Sequence, residues 1–388
     1  MMDHFNYRNG ELFAEDVAIK TIAQQVGTPF YCYSKATLLR HYQVFSQSFS
    51  HASNKITVCY SVKSNSNLAI VKTLADAGSG GDCVSEGEIR RCLAAGISPD
   101  SIIFAGVGKT KKEMRYALEN NILQFNVESE PELIALNEVA ESMGVRAPVA
   151  FRVNPDVDAG THEKITTGRK EDKFGIAWEQ VHALYDKAAT LNGIKIQGVA
   201  VHIGSQLSSL EPFRKAFTKV KGLVEELRQK GHDITLVNLG GGLGIPYDGS
   251  TLPSPKEYAD MVLETVGSLG CHLAFEPGRV ISGNAGILVA SVVYLKQSSH
   301  KRFLIIDAAM NDLIRPSLYD AHHEIVPVNT SQAETFPTDI VGPVCETGDV
   351  FGKNRPLPDL KADDLVAIRS AGAYGAVMSS TYNSRPLV

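Results

Sequence analysis

The feature that most constrains this chain is an alternation of strand and helix patterns repeated eight times. Short apolar or β-branched runs occupy residues 57–62, 80–84, 102–105, 123–127, 148–152, 196–202, 235–239 and 273–276. Most of the gaps between them carry apolar residues at three- and four-residue spacing, over 68–77, 86–95, 111–120, 130–143, 178–191, 213–230 and 255–269. Such spacing lines one face of a helix, whereas a strand alternates its faces residue by residue. Parallel strands need crossover connections, and a helix is the usual one. Eight successive units therefore predict an α/β fold, a (β/α)8 TIM-like barrel, with a doubly wound open sheet as the competing arrangement.

Past residue 281 the texture changes. Runs 287–295, 303–307 and 365–369 are β-branched with no long helix following, and 376–380 reads as a continuation of the last. Pro and Gly punctuate this part, which predicts a mainly-β second domain, a β-barrel or sandwich, into which the short stretch 5–13 can pair. The expected domains are the barrel over 29–280, and a β-rich domain made of 1–28 together with 281–388. Residues 154–173 are polar, contain Gly160 and Gly168, and are too long for an ordinary connection. They are either a lid over a site or a surface excursion.

The charge balance narrows the function classes. The net charge is −5, which supplies no basic field for nucleic acid or an anionic membrane. The apolar stretch 287–295 is far short of the roughly 20 residues that span a bilayer. Met1-Met2-Asp3-His4 shows no basic-then-apolar leader pattern, so a cytoplasmic location is the default expectation. Cys32, Cys59, Cys83, Cys92, Cys271 and Cys345 are spaced neither as a zinc knuckle nor as a redox pair, which suits buried thiols in a reducing compartment.

In a (β/α)8 barrel the chemistry gathers at the C-terminal ends of the strands. There the first strand brings Tyr60-Ser61-Val62-Lys63-Ser64-Asn65 and the sixth His202-Ile203-Gly204-Ser205-Gln206. The seventh brings Asn238-Leu239-Gly240-Gly241-Gly242-Leu243-Gly244 and the eighth Phe275-Glu276-Pro277-Gly278-Arg279. Taken singly, each has a plainer reading: a surface lysine, a core histidine, a tight turn, a strand end. Together they meet the needs of pyridoxal 5'-phosphate. Its aldehyde takes a lysine amine, its ring nitrogen takes an acid, its ring face takes a flat group, and its phosphate takes backbone N–H donors that glycine lets approach closely.

On these residues the chain resembles the diaminopimelate decarboxylases, among the alanine-racemase-like, fold type III pyridoxal-phosphate enzymes. The resemblance runs from about Thr28 to the end and rests on motifs at 60–65, 81–86, Lys173-Phe174-Gly175, 202–206, 240–244, 276–279, 342–346 and 372–375. It implies a barrel plus a β-domain. It implies that Lys63 joins the cofactor as an imine, that Glu276 pairs with the ring nitrogen and that His202 stacks on the ring. Ser205, Gly241, Gly242 and the stretch Glu276, Pro277, Gly278, Arg279 complete the cofactor site, with Tyr374 touching both cofactor and substrate. Arg279, Arg315 and Tyr319 are implied to bind a substrate carboxylate, and Glu346 the distal ammonium. Cys345 is implied to be the proton donor, entering with Glu346 from a second subunit of a homodimer. The implied reaction converts meso-2,6-diaminopimelate to L-lysine and CO2, the last step of lysine biosynthesis.

Two departures accompany the resemblance. Ser64 stands where alanine is usual. The resemblance also implies roughly 30 further residues past the point matching Val388, expected to close the β-domain with another strand and a terminal helix. An ornithine, arginine or carboxypolyamine decarboxylase shares the mechanism; a racemase and a non-catalytic pyridoxal-phosphate carrier are further alternatives. His322-His323-Glu324 suggests a metal at first sight, but neighbours on a strand point to opposite faces, so no metal is expected.

Overall fold

The computed structural model describes residues 3–158, 173–330 and 333–388. The segment considered above as a lid, 154–173, falls largely outside the described residues. The chain divides into two compact units: His41–Gly244 with Leu252–Gly278, and Met1–Arg40 with Ile245–Thr251 and Arg279–Val388.

The first unit is a closed parallel barrel. Its strands are Ile56–Ser61, Gly80–Cys83, Ile102–Phe104, Gln124–Val127, Ala147–Asn154, Ile194–Ala200, Leu236–Asn238 and His272–Phe275. Each pairs in parallel with the next, and the eighth returns to the first through Leu273↔Ile56. That closure excludes the open sheet. Residues of the second and fourth strands are buried without interruption, the pattern of a sheet covered on both faces. Polar residues then start the helices sharply. Ser85 caps Glu86–Ala94, Ser129 caps Glu130–Met143, and Thr110–Glu113 and Ser254–Glu257 form capping boxes.

The second unit is built on the long strand Gly286–Gln297. It pairs antiparallel with Phe30–Tyr33, Leu365–Ile368 and Arg302–Ile306. Ile325–Pro327, Phe336–Val341 and Val350–Leu357 extend the same sheet. The N-terminal stretch forms its own antiparallel sheet, Phe5–Arg8, Glu11–Ala14 and Val17–Ala18, and Leu12 N–H donates to the Val328 carbonyl at 2.8 Å. The strand expected over 376–380 is absent: Ala376–Met378 is a turn of 3-10 helix. Tyr374 in the left-handed region (φ 55°) and Gly375 at φ −95°, ψ −94° turn the chain before a strand can continue. No helix among the described residues is long and apolar enough to cross a membrane.

Candidate active site

A cavity of about 190 Å³ opens at the C-terminal ends of the barrel strands. Its lining includes Lys63, Asn126, Arg152, His202, Asn238 and Glu276. Lys63 lies in the single 3-10 turn Val62–Ser64 that ends the first strand, and its Nζ donates to Asp82 Oδ2 at 2.7 Å. Asp82 comes from the second strand and is fully buried. Glu276 leaves the eighth strand and is buried; Asn238 and Asn126 donate to its Oε1 at 2.5 and 3.1 Å. Burial, followed by the Asp82 charge, pushes the Glu276 carboxyl up to about 7 from 4.5. The amine and the carboxylate expected from the sequence thus line one cavity.

His202 joins them. The Gly241 N–H donates to its Nδ1 at 3.2 Å, so the ring proton sits on Nε2. Withdrawal from water, with the Arg152 and Lys63 charges, holds the imidazole well below its ordinary 6.5, so it is neutral. The glycine run is forced by close approach rather than by turn preference alone. A Cβ on Gly241 would lie 2.2 Å from the Glu276 carbonyl oxygen, and one on Gly242 (φ 115°) 2.5 Å from that of Gly204. The loop carrying Ser205 is stitched to this run by Leu207 N–H to Gly242 O at 2.9 Å and Gly244 N–H to Leu207 O at 3.1 Å. Pro277 accepts from the Ser61 N–H at 3.1 Å, and a Cβ on Gly278 would meet Ser61 and Ser64 at 3.0–3.1 Å.

Among the charged residues that the motifs did not single out, Arg152 lines the cavity and buried ion pairs stand behind it. Arg152, on the fifth strand, donates from Nη1 to both Glu128 oxygens at 3.1 and 3.2 Å, with its guanidinium over the Phe174 ring. Glu128 also accepts the Gly106 and Gly175 N–H groups. Lys109, almost without exposure, donates to Glu132 at 2.6 Å and to the Gly106 and Asn126 carbonyls. Asp82, Asn126, Arg152 and Asn238 all lie in or at the ends of barrel strands. A polar residue inside an otherwise apolar strand is the signal that would have found them.

The second unit gathers its own cluster. Arg279 opens the helix Arg279–Ser282, donates to the Tyr247 hydroxyl at 2.8 Å and lies 4.8 Å over the Tyr374 ring. Arg315 opens the helix Arg315–Tyr319 and sits 4.5 Å over the Tyr247 ring. Both arginines are buried. Burial and the charge of Arg279 lower the Arg315 pKa, while Tyr247, Tyr319 and Tyr374 oppose them. Arg315 makes no ion pair among the described residues. Arg279 and Arg315 both meet the Tyr247 ring and Arg279 also lies over Tyr374; Tyr247 is an addition to the residues expected from the sequence.

Cys345 and Glu346 are exposed; the Cys345 N–H donates to Asn383 Oδ1 at 3.3 Å and Glu346 accepts from Tyr382 at 3.0 Å. His322 and His323 do diverge, but in coil ahead of Ile325–Pro327 rather than on a strand. His322 accepts from Arg355, whereas His323 is fully buried beside Arg315. Among the described residues no group of three His, Cys, Asp or Glu side chains could hold a metal.

Comparison with known proteins fits this geometry. Residues 21–283 match the pyridoxal-binding domain of the pyridoxal-dependent decarboxylases. A diaminopimelate decarboxylase of Zymomonas mobilis is 50% identical over 387 residues, which cover 99% of this chain and 92% of that protein. The chain belongs to the diaminopimelate decarboxylase family. Two solved family members agree in fold. One is the Helicobacter pylori enzyme complexed with L-lysine, with a TM-score of 0.92 at 41% identity, covering 95% of this chain and 92% of that one. The other is the M. jannaschii enzyme in co-complex with L-lysine, with a TM-score of 0.93 at 37% identity, covering 99% and 91%.

Pyridoxal phosphate, the cofactor of the family, fits the barrel cavity. The cavity carries an amine, a buried acid whose second oxygen makes no hydrogen bond among the described residues, and a neutral imidazole. Arg152 Nη2 and Asp82 Oδ1 are buried there with no hydrogen-bond partner among the described residues, which is what a polar guest would relieve. The glycine run leaves backbone where side chains would stand.

Proposed function

We propose that the protein is a pyridoxal-phosphate-dependent carboxy-lyase that converts meso-2,6-diaminopimelate to L-lysine and CO2. When bound, pyridoxal phosphate supplies a protonated ring that takes up the electron pair left when a carboxylate departs as CO2. Lys63 offers the amine that anchors the cofactor, and Asp82 holds that amine whenever it is not engaged. Glu276, fixed on one oxygen by Asn126 and Asn238, would offer the other to the ring nitrogen and favour its protonated form. His202 would pack against the ring, and Ser205, Gly241, Gly242, Pro277 and Gly278 would hold the phosphate. Arg315, Arg279, Tyr319 and Tyr374 grip the carboxylate that is retained, a task suited to guanidinium groups. The Cys345 thiol returns a proton to the carbon that lost its carboxylate, and Glu346 meets the distal ammonium, both from a partner subunit of a homodimer. Their exposure on the second unit supports that assignment. None of the six cysteines is in a disulfide, which supports a cytoplasmic setting.

The observation that carries this reading is that Lys63, held by Asp82, lines one cavity with Glu276 and His202. The test is turnover of diaminopimelate, ornithine and arginine side by side, following CO2 and amine product. CO2 with L-lysine from diaminopimelate, and little from the others, is the expected result. Turnover of ornithine alone would replace the substrate; cofactor binding without turnover of any would reduce the protein to a carrier.

A further inference from the structure

His323 has no part in the proposed chemistry. It is fully buried and bonded at both ring nitrogens. Nδ1 lies 2.8 Å from the Arg369 carbonyl oxygen, and Nε2 lies 2.8 Å from Arg315 Nη1. A carbonyl can only accept and a guanidinium can only donate. The proton must therefore sit on Nδ1, and Nε2 must present a lone pair to Arg315. A protonated ring would set N–H against N–H. The Tyr247 ring closes the bracket, edge-on to the imidazole at 5.3 Å and beneath the Arg315 guanidinium. With Nη1 bound to His323, Arg315 keeps Nη2, which makes no hydrogen bond among the described residues, for an incoming anion.

We propose that His323 is a positioning residue for substrate specificity: locked in its Nδ1–H tautomer by the Arg369 carbonyl, it aims Arg315 at the carboxylate that diaminopimelate and L-lysine share. The proposal rests on the assignment of Arg315 as the carboxylate anchor. An imidazole suits the role because it accepts from a cation without carrying charge. A carboxylate in its place would neutralise the guanidinium and compete with the ligand for it. Burial, followed by the Arg315 charge, holds the His323 pKa down to about 3, so the lock persists at any working pH.

Two near-isosteric variants separate aiming from simple packing. In His323→Gln the side-chain oxygen can reach the Nε2 position and accept from Arg315, but the bond to Arg369 is lost. In His323→Asn the amide can replace Nδ1 and donate to Arg369, but Arg315 loses its acceptor. Binding of L-lysine and of 1,5-diaminopentane, which has no carboxylate, is measured on the holoenzyme by titration calorimetry. Loss of a hydrogen bond to a charged group implies about tenfold weaker L-lysine binding in His323→Asn and a change within about threefold in His323→Gln. Diaminopentane binding should be unchanged in both. Wild-type L-lysine affinity in His323→Asn, or a greater loss in the Gln variant than in the Asn variant, overturns the proposal. Arg315→Ala is the control: unchanged L-lysine affinity there would defeat the anchor assignment itself, whereas weakened binding there with a silent His323→Asn would defeat only the role of His323. Should neither His323 variant fold, ¹⁵N-histidine NMR of the wild-type holoenzyme decides. An Nδ1–H ring that stays neutral at pH 5 supports the lock, and an Nε2–H or charged ring overturns it.

Discussion

The barrel cavity and the arginine cluster of the second unit solve the problem of buried charge in opposite ways. In the barrel the cations meet anions: Lys63 meets Asp82, Arg152 meets Glu128 and Lys109 meets Glu132. In the second unit Arg315 is bracketed by an imidazole and an aromatic ring and makes no ion pair among the described residues. A buried cation satisfied by neutral dipoles keeps its attraction for an anion, whereas one already paired has largely spent it. On the proposed function, the barrel would hold a resident group in fixed geometry and the second unit would bind and release a carboxylate.

The largest effect should come from the barrel. Lys63→Ala removes the anchor amine and should lower kcat on the order of 10⁴-fold, with loss of the visible absorbance of the bound cofactor. Retained absorbance and turnover would show that the amine at this strand end is incidental. Glu128→Gln breaks the ion pair that restrains Arg152. Leaving one buried charge uncompensated costs about 3 kcal/mol, which urea unfolding would read as a lower midpoint. An unmoved midpoint would mean that the barrel charges are not paired for stability, and the contrast between the regions would fail. Arg315→Ala should raise KM for diaminopimelate by roughly 10- to 100-fold with little change in kcat. A comparable loss toward ornithine would show that Arg315 supports the fold instead of reading a carboxylate.

The smallest effects are pH slopes of opposite sign. The folded barrel keeps a proton on Glu276 up to about 7, which an unfolded chain gives up near 4.5. Its contribution to stability is complete below pH 4.5 and is lost as pH rises through 7. His323 does the reverse: the folded value is about 3 against an ordinary 6.5. Its contribution is complete above pH 6.5 and is lost as pH falls through 3. Within its window each group changes the folding constant by at most about tenfold per pH unit. Urea titrations of the cofactor-free protein should show the upper slope flattened by Glu276→Gln and the lower one by His323→Gln. A slope untouched by its own variant would assign that titration elsewhere.

Much of the barrel was legible because short apolar strand runs alternate with helices of their own period, and several of those strands are buried throughout. The site residues were legible for the same reason, since strand ends are fixed points in such a fold. The second unit was less so. Its strands Ile325–Pro327, Phe336–Val341 and Val350–Leu357 carry Pro, Lys, Arg and Asn, so no apolar alternation marks them. The strand expected over 376–380 failed because backbone conformation at Tyr374 and Gly375 overrides an apolar run. Asn126 is absent from the motifs, and Asp82 and Asn238 stand in them without a role, because a short polar side chain in a strand looks like a weak point until the carboxylate or amine it serves is in view. Tyr247 sits in a loop with no pattern, and only the fold brings it to Arg279 and Arg315.

The central claim is that this barrel holds its cofactor covalently on one strand-end lysine. Borohydride reduction of the purified protein, followed by peptide mass mapping, tests it directly. The expected result is a pyridoxyl-phosphate mass on the peptide containing Lys63 and on no other. An unmodified Lys63, or the added mass on Lys109 or another lysine, would contradict it.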